Sequence, residues 1–395
     1  MTSNLEKSKS SCLYCGNNPI PHTVHKFYES LDIAFGPIRR GLSQSPLGAA
    51  GDKLGNLVGI GLYRILKAMG LITINTSIDE IKYDRARVIW AEAMRRQIPI
   101  EEIKPFNRSI DLYKSRINNR DFWFMNLPRR EHVATSNLTW VDDKWLLKKK
   151  LREHSLPTAK GGAFFRYAAA KQMFHQLNKP VIVKPRAGSR GRHTTTFIYT
   201  EDDFWQAFKI AKQLCHWVIV EEHLFGDVQR GTIIGGKLIG VLGGSSPKVT
   251  GDDQNSILEL IRQTDAGRPM GVKEIQVNPY FMQRQGLTME TVLPAGKTVY
   301  LSEKIGVNYG GTSFDATPYT HPETKAMLEK AGQVLNVSIL GFDFIVPDIR
   351  KSYKEQKAGI IECNGAPFIN LHHDPLIGES INAAKAVWDL VLENK

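Results

Sequence analysis

Gly341-Phe-Asp-Phe-Ile-Val-Pro-Asp348 and Gly359-Ile-Ile-Glu-Cys-Asn364 are the two stretches that decide the predicted fold. Each is a short apolar run, and the polar residues between them predict the turn of a hairpin. Glu362 and Asn364 are two residues apart, so their side chains leave the same face of the strand, and Asp343 can lie opposite them. Carboxylate and amide oxygens suit a hard cation, so these three residues are predicted to bind Mg²⁺. The alternative is a solvated hairpin with incidental charges.

The middle of the chain predicts an alternation of strands and helices. The predicted helices cover residues 86–96, 143–155 and 163–177, and a fourth begins at Thr200, which forms a capping-box pattern with Asp203. The predicted strands cover residues 180–184, 194–199 and 217–221. A strand, a loop, a strand, a helix and a strand in this order favour an α+β fold with an antiparallel hairpin over a doubly wound sheet.

The loop between the first two of these strands is a candidate phosphate-binding segment. Pro185-Arg-Ala-Gly-Ser-Arg-Gly-Arg192 contains two glycines and three arginines, and Lys184 ends the preceding strand. Backbone N–H groups in such a loop can surround a phosphate, and the arginines add positive charge. An ordinary turn is the alternative for a loop of this composition.

A second candidate is the end of the strand Val218-Ile-Val-Glu-Glu222. Acids at this point can accept a hydrogen bond from the amino group of adenine. A strand that ends at a solvated charge pair is the alternative.

In this order and spacing, the motifs resemble the ATP-grasp superfamily. The chain resembles D-alanine–D-alanine ligases and glutathione synthetases, and the ATP-grasp half of cyanophycin synthetases is a closer match than either. The matching stretches begin at Asp143-Lys144, end at Asp374-Pro375 and include Gly161-Gly162, 181–191, 220–230, 235–239, 247–251, 257–261, 284–288, 294–296, 299–301, 310–312, 321–322 and 341–343.

The resemblance implies a role for each matched position. Phosphate and nucleotide contacts are implied for Lys144, Lys184, Gly188, Ser189, Arg190, Gly191, Glu221, Glu222, Leu224 and Asp227. Catalytic roles are implied for Lys184, Arg230 and Arg284, and magnesium ligation for Asp343, Glu362 and Asn364, usually with two ions per site. The implied function is an ATP-dependent carboxylate–amine ligase that forms an amide bond through an acylphosphate, without a serine or cysteine nucleophile.

Three departures from the family pattern limit what the resemblance implies. Val228 stands where an acid usually holds the ATP ribose, and the neighbouring Asp227 can substitute for it. Ser302 stands where a basic residue is expected, with Lys304 nearby, so we expect a different acceptor specificity. The sequence ends at Lys395, and we therefore expect it to carry out only the ATP-grasp reaction.

The chain is predicted to consist of four parts. A loosely structured extension is predicted over residues 1–50, an N-terminal α/β domain over 51–140, lobe one of the ATP-grasp fold over 141–220 and lobe two over 221–395. The extension contains Cys12 and Cys15, followed by His22 and His25, a set that could hold a structural zinc ion as a short knuckle. Reduced thiols without a metal are the alternative.

Composition narrows the class of protein. The chain has 395 residues, 42% hydrophobic, and a net charge of +12, which is typical of a globular protein with anionic ligands. Four cysteines and a polar start predict a cytoplasmic protein without a secretory signal. Residues 54–74 predict an amphipathic helix packed on its own domain, with Val58, Leu62, Ile65 and Met69 on one face, and a membrane-surface role is the alternative.

The charge and the family resemblance also predict the substrates and the assembly of the protein. We expect small-molecule or peptide substrates, with an acidic partner favoured by the positive charge, and a homo-oligomer, because relatives often form dimers or tetramers. A nucleotide-binding regulatory module with a decayed site is one alternative, suggested by Val228. A nucleic-acid-binding protein is another, because Phe122 and Trp123 lie near Arg129 and Arg130, although a core pair beside a basic turn explains these residues better.

Overall fold

The structure is a computed structural model. It describes residues 12–15, 19–43, 58–129, 141, 143–188, 191–268, 273–302 and 309–393. Among these, no helix is both long and apolar enough to cross a lipid bilayer.

The N-terminal region consists of helices and an antiparallel meander. Its helices are α1 (His22–Ser43), α2 (58–68) and α3 (Asp84–Arg95), and its strands are β1 (Ile72–Asn75), β2 (Ile100–Pro105), β3 (Leu112–Ile117) and β4 (Arg120–Met125). The strands pair in chain order, and short turns join β2, β3 and β4. Strands β1 and β2, which flank α3, pair antiparallel, so the described residues of this region contain no parallel crossover. The α/β domain predicted over residues 51–140 stays a prediction.

Lobe one is a four-stranded antiparallel sheet covered by two helices. The elements of this part of the chain are α4 (Lys144–Glu153), β5 (Gly161–Phe164), α5 (Tyr167–Gln176), β6 (Val181–Pro185), β7 (Thr195–Ile198), α6 (Glu201–Lys212) and β8 (Val218–Glu222). The two covering helices are α5 and α6. The strand order is β5-β8-β6-β7, which makes the hinge strand β8 a central strand. Helix α6 begins as predicted, because the Thr200 hydroxyl accepts the backbone N–H of Asp203 at 3.1 Å.

Lobe two contains a five-stranded antiparallel sheet, which we call the lobe-two sheet. Its elements are β9 (Val228–Ile234), β10 (Lys237–Ser245), β11 (Lys248–Thr250), α7 (Ile257–Ala266), α8 (Pro279–Arg284), β12 (Thr298–Tyr300), β13 (Thr312–Asp315), α9 (Pro322–Leu335), β14 (Ile339–Ile345), β15 (Gly359–Asn364), α10 (Asn370–His373) and α11 (Ala383–Leu392). The sheet order is β13-β10-β9-β14-β15, and β11 and β12 form a separate ribbon. The predicted hairpin of strands is therefore confirmed as β14 and β15.

The hydrophobic cores cross two of the predicted domain boundaries. Leu147 and Leu151 of α4 pack with Phe342 and Phe344 of β14, so α4 covers the lobe-two sheet rather than lobe one. Trp90 of α3 shares another core with α11 and with residues of β9 and β14. The boundaries themselves stay predictions, but packing joins the N-terminal region to lobe two.

Three local predictions differ from the structure. Ala163 and Phe164 lie in strand β5, and the helix predicted there begins only at Tyr167, because Gly161–Phe164 pairs with β8. Helix α1 occupies much of the extension predicted to be loosely structured.

The third difference concerns the apolar face predicted on α2. Val58, Leu62, Ile65 and Met69 are all exposed, at 54% or more, instead of packing on their own domain. Trp123, by contrast, packs edge-to-face against Tyr63 of α2, with ring centroids 4.7 Å apart. This contact favours a packing role for Trp123 over base stacking.

Candidate active site

One face of the lobe-two sheet carries a row of charged side chains. Arg230 of β9 pairs with Asp343 of β14, and Asp343 pairs with Glu362 of β15. Because directly paired residues in a sheet point to the same side, these three side chains form one line across three strands. Asn364 lies one row further along on this face. The alternate residues, among them Cys363, point into the core.

Arg230 and Asp343 form a bidentate ion pair. The Nε and Nη2 atoms of Arg230 donate to Oδ1 and Oδ2 of Asp343 at 2.6 and 2.7 Å. Burial, reinforced by the nearby Glu362, raises the pKa of Asp343 to about 6, although Arg230 opposes the shift. The same pair raises the pKa of Arg230, despite burial. A buried carboxylate beside a second one needs added positive charge, which Arg230 supplies in part.

Lys144 joins the two predicted halves of the site. It is the first residue of α4, and its Nζ lies 3.5 Å from Oε2 of Glu362. The same ammonium donates to the carbonyl oxygen of Gly188, in the predicted phosphate loop. Lys144 therefore lies between that loop and the carboxylates. A phosphate held by the loop would be close to these negatively charged groups, and a cation at this position would offset the repulsion.

A buried cluster of two lysines and one glutamate lies at the hinge. Glu221 accepts from the ammonium of Lys184 at 2.5 Å and from that of Lys148, and all three side chains are buried. Burial raises the pKa of Glu221, but the two lysines outweigh it and lower the pKa to about 2. Burial lowers the pKa of Lys148 to about 8, although Glu221 opposes this. Glu221 is therefore ionised and neutralises part of the lysine charge.

Sequence reasoning missed Lys148. It lies four residues after Lys144 in the same helix, a spacing that places both side chains on one face. That spacing could have indicated a second lysine directed at the site. Its full burial came from packing that the sequence does not reveal.

Glu222 points to the opposite face of the hinge strand from Glu221. Its carboxylate accepts the backbone N–H of Lys160 at 3.1 Å and pairs with the ammonium of Lys357 at 2.8 Å. Leu224 is buried and lies against Gly359. Both acids are thus engaged with the chain itself, and their predicted role near adenine stays a prediction.

Two glycines of the predicted phosphate loop have positive φ values. Gly188 and Gly191 have φ values of 121° and 61°, which favour glycine. At its start, Arg186 forms a bidentate pair with Asp143, the residue that caps α4. Ser189 and Arg190, which are also predicted to bind phosphate, lie outside the described residues.

Arg284 and Asp227 lie towards the hinge. The guanidinium of Arg284 donates to the carbonyl oxygen of Thr196 in β7 and lies 5.1 Å from the ring of Tyr280. This contact links lobe two to lobe one. Asp227 immediately precedes β9 and is close enough to Tyr300 to help burial raise the pKa of that phenol. The predicted catalytic role of Arg284 and ribose role of Asp227 stay predictions.

A further polar pair lies on this face of the lobe-two sheet, and no pattern in the sequence predicts that its two residues meet. Thr232 is two residues from Arg230 and therefore shares its face, and its hydroxyl lies 2.7 Å from Nε2 of His372. His372 is almost fully buried, and burial lowers its pKa to about 4. Only the packing of α10 against the sheet brings these two residues together.

The candidate zinc ligands fall into a different set from the predicted one. Cys12, Cys15 and His22 come together as predicted, but the fourth residue of the group is His193, in the segment before β7. His25 is a correction to the prediction, since its Nδ1 bonds to the carbonyl oxygen of Leu214 at 3.1 Å. His25 lies three positions after His22 in α1, and its bond to Leu214 directs its ring to lobe one instead of to the cysteines.

The residues of the sheet face fit a magnesium ion. Asp343, Glu362 and Asn364 offer only oxygen donors once the Asn364 amide is turned, and the amide nitrogen as placed is buried without a hydrogen-bond partner among the described residues. Two adjoining carboxylates and an amide are a typical Mg²⁺ donor set. The structure thus supports the predicted ligand set by its chemistry.

The two α+β lobes have the ATP-grasp fold. A solved relative shares it: the bifunctional glutathione synthetase of Pasteurella multocida aligns with 78% of this chain and 44% of its own, with a TM-score of 0.54 and 21% identity. No family model matches the chain.

Curated relatives with similar sequences are larger proteins. The glutathione biosynthesis bifunctional protein GshAB of Clostridium perfringens is 28% identical over 263 residues, which are 64% of this chain and 34% of that protein. The cyanophycin synthetase of Crocosphaera subtropica is 30% identical over 268 residues, 63% of this chain and 30% of that protein. The chain thus spans about a third of these relatives, and it resembles ATP-grasp ligases in both sequence and fold.

Proposed function

We propose that this protein is an ATP-dependent carboxylate–amine ligase that acts on amino acids or peptides. The observation that carries the proposal is the line of Arg230, Asp343 and Glu362 with Lys144 beside it. This arrangement combines cations for phosphate with an oxygen donor set for magnesium. The names of the relatives, which describe glutathione biosynthesis and cyanophycin synthesis, support the same class of reaction.

The proposed reaction has two steps. A carboxylate oxygen of the first substrate attacks the γ-phosphorus of ATP, the bond to the β,γ-bridging oxygen breaks, and ADP leaves. The amine of the second substrate then attacks the carbonyl carbon of the acylphosphate, inorganic phosphate leaves, and the amine loses a proton. Such a transfer depends on alignment and charge neutralisation more than on covalent help from the protein.

The charged residues of the site would serve the first step. Lys144 and Lys184 hold the phosphates, and Arg230 stabilises the negative charge that develops at the reacting end. Asp343, Glu362 and Asn364 would hold two magnesium ions, which supply Lewis-acid charge stabilisation when bound. Glu221 keeps Lys184 in place, since the two form an ion pair at 2.5 Å.

Substrates and assembly belong to the same proposal. The net charge of +12 favours an acidic substrate, such as aspartate, glutamate or an acidic peptide. We also propose a homo-oligomer, which the exposed apolar face of α2 supports. Light scattering that gives the 44.4 kDa mass of one chain would contradict the oligomer.

Phosphate release tests the ligase. The protein is mixed with ATP, Mg²⁺ and pools of amino acids or short peptides, and mass spectrometry identifies the products. We expect release that depends on one pool and stops in Glu362→Gln, because that change removes a charged magnesium ligand. The matched control is Glu355→Gln, an exposed acid in the same hairpin connection, which should behave like the parent. ATP binding without release from any pool would contradict the ligase and favour a regulatory module.

A further inference from the structure

A cluster of four side chains outside the active site has the composition of a zinc centre. Cys12 and Cys15 flank a short turn, His22 begins α1, and His193 comes from lobe one. One ligand atom from each lies within 4.8 Å of the others. Neither cysteine forms a disulfide. The site joins two parts of the chain that are 171 residues apart.

Four of the six distances between these ligand atoms fit a tetrahedron around zinc, and the other two are within 4.8 Å. The Nε2 atom of His193 lies 3.5 Å from Cys12 Sγ, 3.4 Å from Cys15 Sγ and 3.2 Å from His22 Nε2. The Sγ atom of Cys15 lies 3.2 Å from His22 Nε2. Bond lengths of about 2.3 Å to sulfur and about 2.05 Å to nitrogen give tetrahedral edges of about 3.6 Å for sulfur–nitrogen and about 3.3 Å for nitrogen–nitrogen pairs. Each observed distance is within about 0.4 Å of that geometry.

The surroundings orient these ligand atoms. The Nδ1 atom of His193 lies 2.8 Å from the carbonyl oxygen of Ile210, so it carries the proton and leaves the lone pair on Nε2. The backbone N–H of Ile20 bonds to the sulfur of Cys15. Two ring nitrogens 3.2 Å apart need a proton or a cation between them, and the two cysteine sulfurs that face the same point favour a metal cation. We therefore infer that Cys12, Cys15, His22 and His193 bind one structural Zn²⁺ ion, which fastens the N-terminal segment to lobe one.

The fastening acts on a particular part of lobe one. His193 is two residues after Gly191, at the end of the predicted phosphate loop. Its backbone N–H donates to the carbonyl oxygen of Tyr14 at 3.1 Å. Helix α1 adds further contacts, because Glu29 accepts the backbone N–H groups of His216 and Trp217 just before β8. The zinc ion would therefore hold one end of that loop against α1. An effect of this attachment on ATP binding by the loop rests on the proposed function, whereas zinc binding does not.

Metal analysis of the purified full-length chain tests the site. We expect about one zinc per chain, tight enough to survive dialysis, as structural zinc sites do. Cobalt added in place of zinc should give the absorption of a tetrahedral ion with sulfur ligands. His193→Ala should lose the metal, and the matched change His25→Ala should keep it, because His25 lies outside the cluster. His193→Cys should also keep it, since three cysteines and one histidine bind zinc as well.

The outcomes separate the zinc site from the ligase. Less than about 0.2 zinc per folded chain, or iron in its place, would overturn the assignment, given the affinity of structural sites. Zinc kept by His193→Ala and lost by His25→Ala would overturn this ligand set. If zinc is present, the metal-free protein should bind ATP more weakly than the zinc-loaded protein in a direct binding assay. Unchanged ATP affinity would overturn the link to the loop alone and leave the ligase and the metal site intact.

Discussion

The two lysines that contact Glu221 carry more positive charge than its single carboxylate can neutralise. Lys148 and Lys184 both donate to it, and none of the three side chains is exposed by more than 8%. One carboxylate therefore neutralises only part of the charge of two buried ammonium groups. The cost of removing a member of the cluster should depend strongly on which residue is removed, since an unpaired buried charge is far more costly than a buried ion pair.

Replacing the acid should be much worse than replacing one lysine. Glu221→Gln leaves two buried lysines without a counterion, and we expect the free energy of unfolding to fall by about 3 kcal/mol. Lys148→Met keeps the Glu221–Lys184 pair and a similar volume, so we expect a loss below about 1 kcal/mol. Urea titration measures both, with the exposed Glu153→Gln as the control. Equal losses in the two variants would show that the two lysines do not depend on Glu221 as their shared counterion.

Arg230 makes two hydrogen bonds that a lysine cannot reproduce. The fork of its guanidinium matches both oxygens of Asp343. We expect Arg230→Lys to lower the rate constant of phosphate release about 100-fold, because the charge is kept but its position against the reacting end is lost. The control is Arg262→Lys, at an exposed arginine of α7. A variant as active as the parent would assign Arg230 to folding alone.

At the scale of elements, one acid connects the N-terminal region to the end of the chain. Glu92 of α3 accepts hydrogen bonds from Arg95, Arg96 and the amide of Asn382. Arg96 also pairs with Asp389 of α11 at 2.6 Å. The carboxylate is 4% exposed, so these bonds are made in a partly apolar environment. They hold α3 against α11.

The contribution of Glu92 should disappear in acid. Hydrogen bonds from Arg95, and then from Arg96 and Asn382, lower its pKa from 4.5 to about 2, although burial opposes them. Because the folded pKa lies below the unfolded one, the contribution is complete above about pH 4.5 and is lost as the pH falls towards 2. It amounts to at most about 3 kcal/mol.

The test compares the parent with Glu92→Gln across this range of pH. We expect the difference in unfolding free energy to shrink as the pH is lowered from 5 to about 2, as linkage requires. Glu379→Gln, at an exposed position, is the control and should show a constant difference. A difference that grows on acidification would show that Glu92 is not held ionised by these partners.

At the scale of the whole molecule, the candidate active site lies where two lobes meet. Lys144 comes from a helix that packs on lobe two, yet it contacts Gly188 of the lobe-one loop. Arg284 of lobe two donates to Thr196 of lobe one. A ligand that fills this site therefore makes contacts with both lobes and should stabilise them together.

ATP with Mg²⁺ should raise the stability of the whole chain. At a nucleotide concentration of about 100 times the dissociation constant, binding to the folded state alone adds about 2.7 kcal/mol. We expect this as a higher unfolding temperature in calorimetry, and a smaller rise with Glu362→Gln. The Glu355→Gln control should keep the full rise. No stabilisation of the parent at any nucleotide concentration would contradict nucleotide binding and, with it, the proposed ligase.

The sequence by itself determined the two strands of the β14–β15 hairpin and which of its side chains share the polar face. The apolar runs at 339–345 and 359–364 form strands because their residues alternate between a core and a polar face, and the spacing of Glu362 and Asn364 requires a common side. The capping residues Thr200 and Asp143 likewise fix the starts of two helices through local hydrogen bonds. These features depend on neighbours a few residues away.

Only the tertiary structure decided which distant residues meet. Glu221 was predicted to face a nucleotide, but packing of α4 brings Lys148 to it from 73 residues away. His193, rather than His25, completes the cysteine and histidine cluster, because α1 lies against lobe one and turns His25 towards Leu214. Spacing along the chain sets the direction of a side chain within one element, whereas the partner it meets depends on how separate elements pack, which no local pattern encodes.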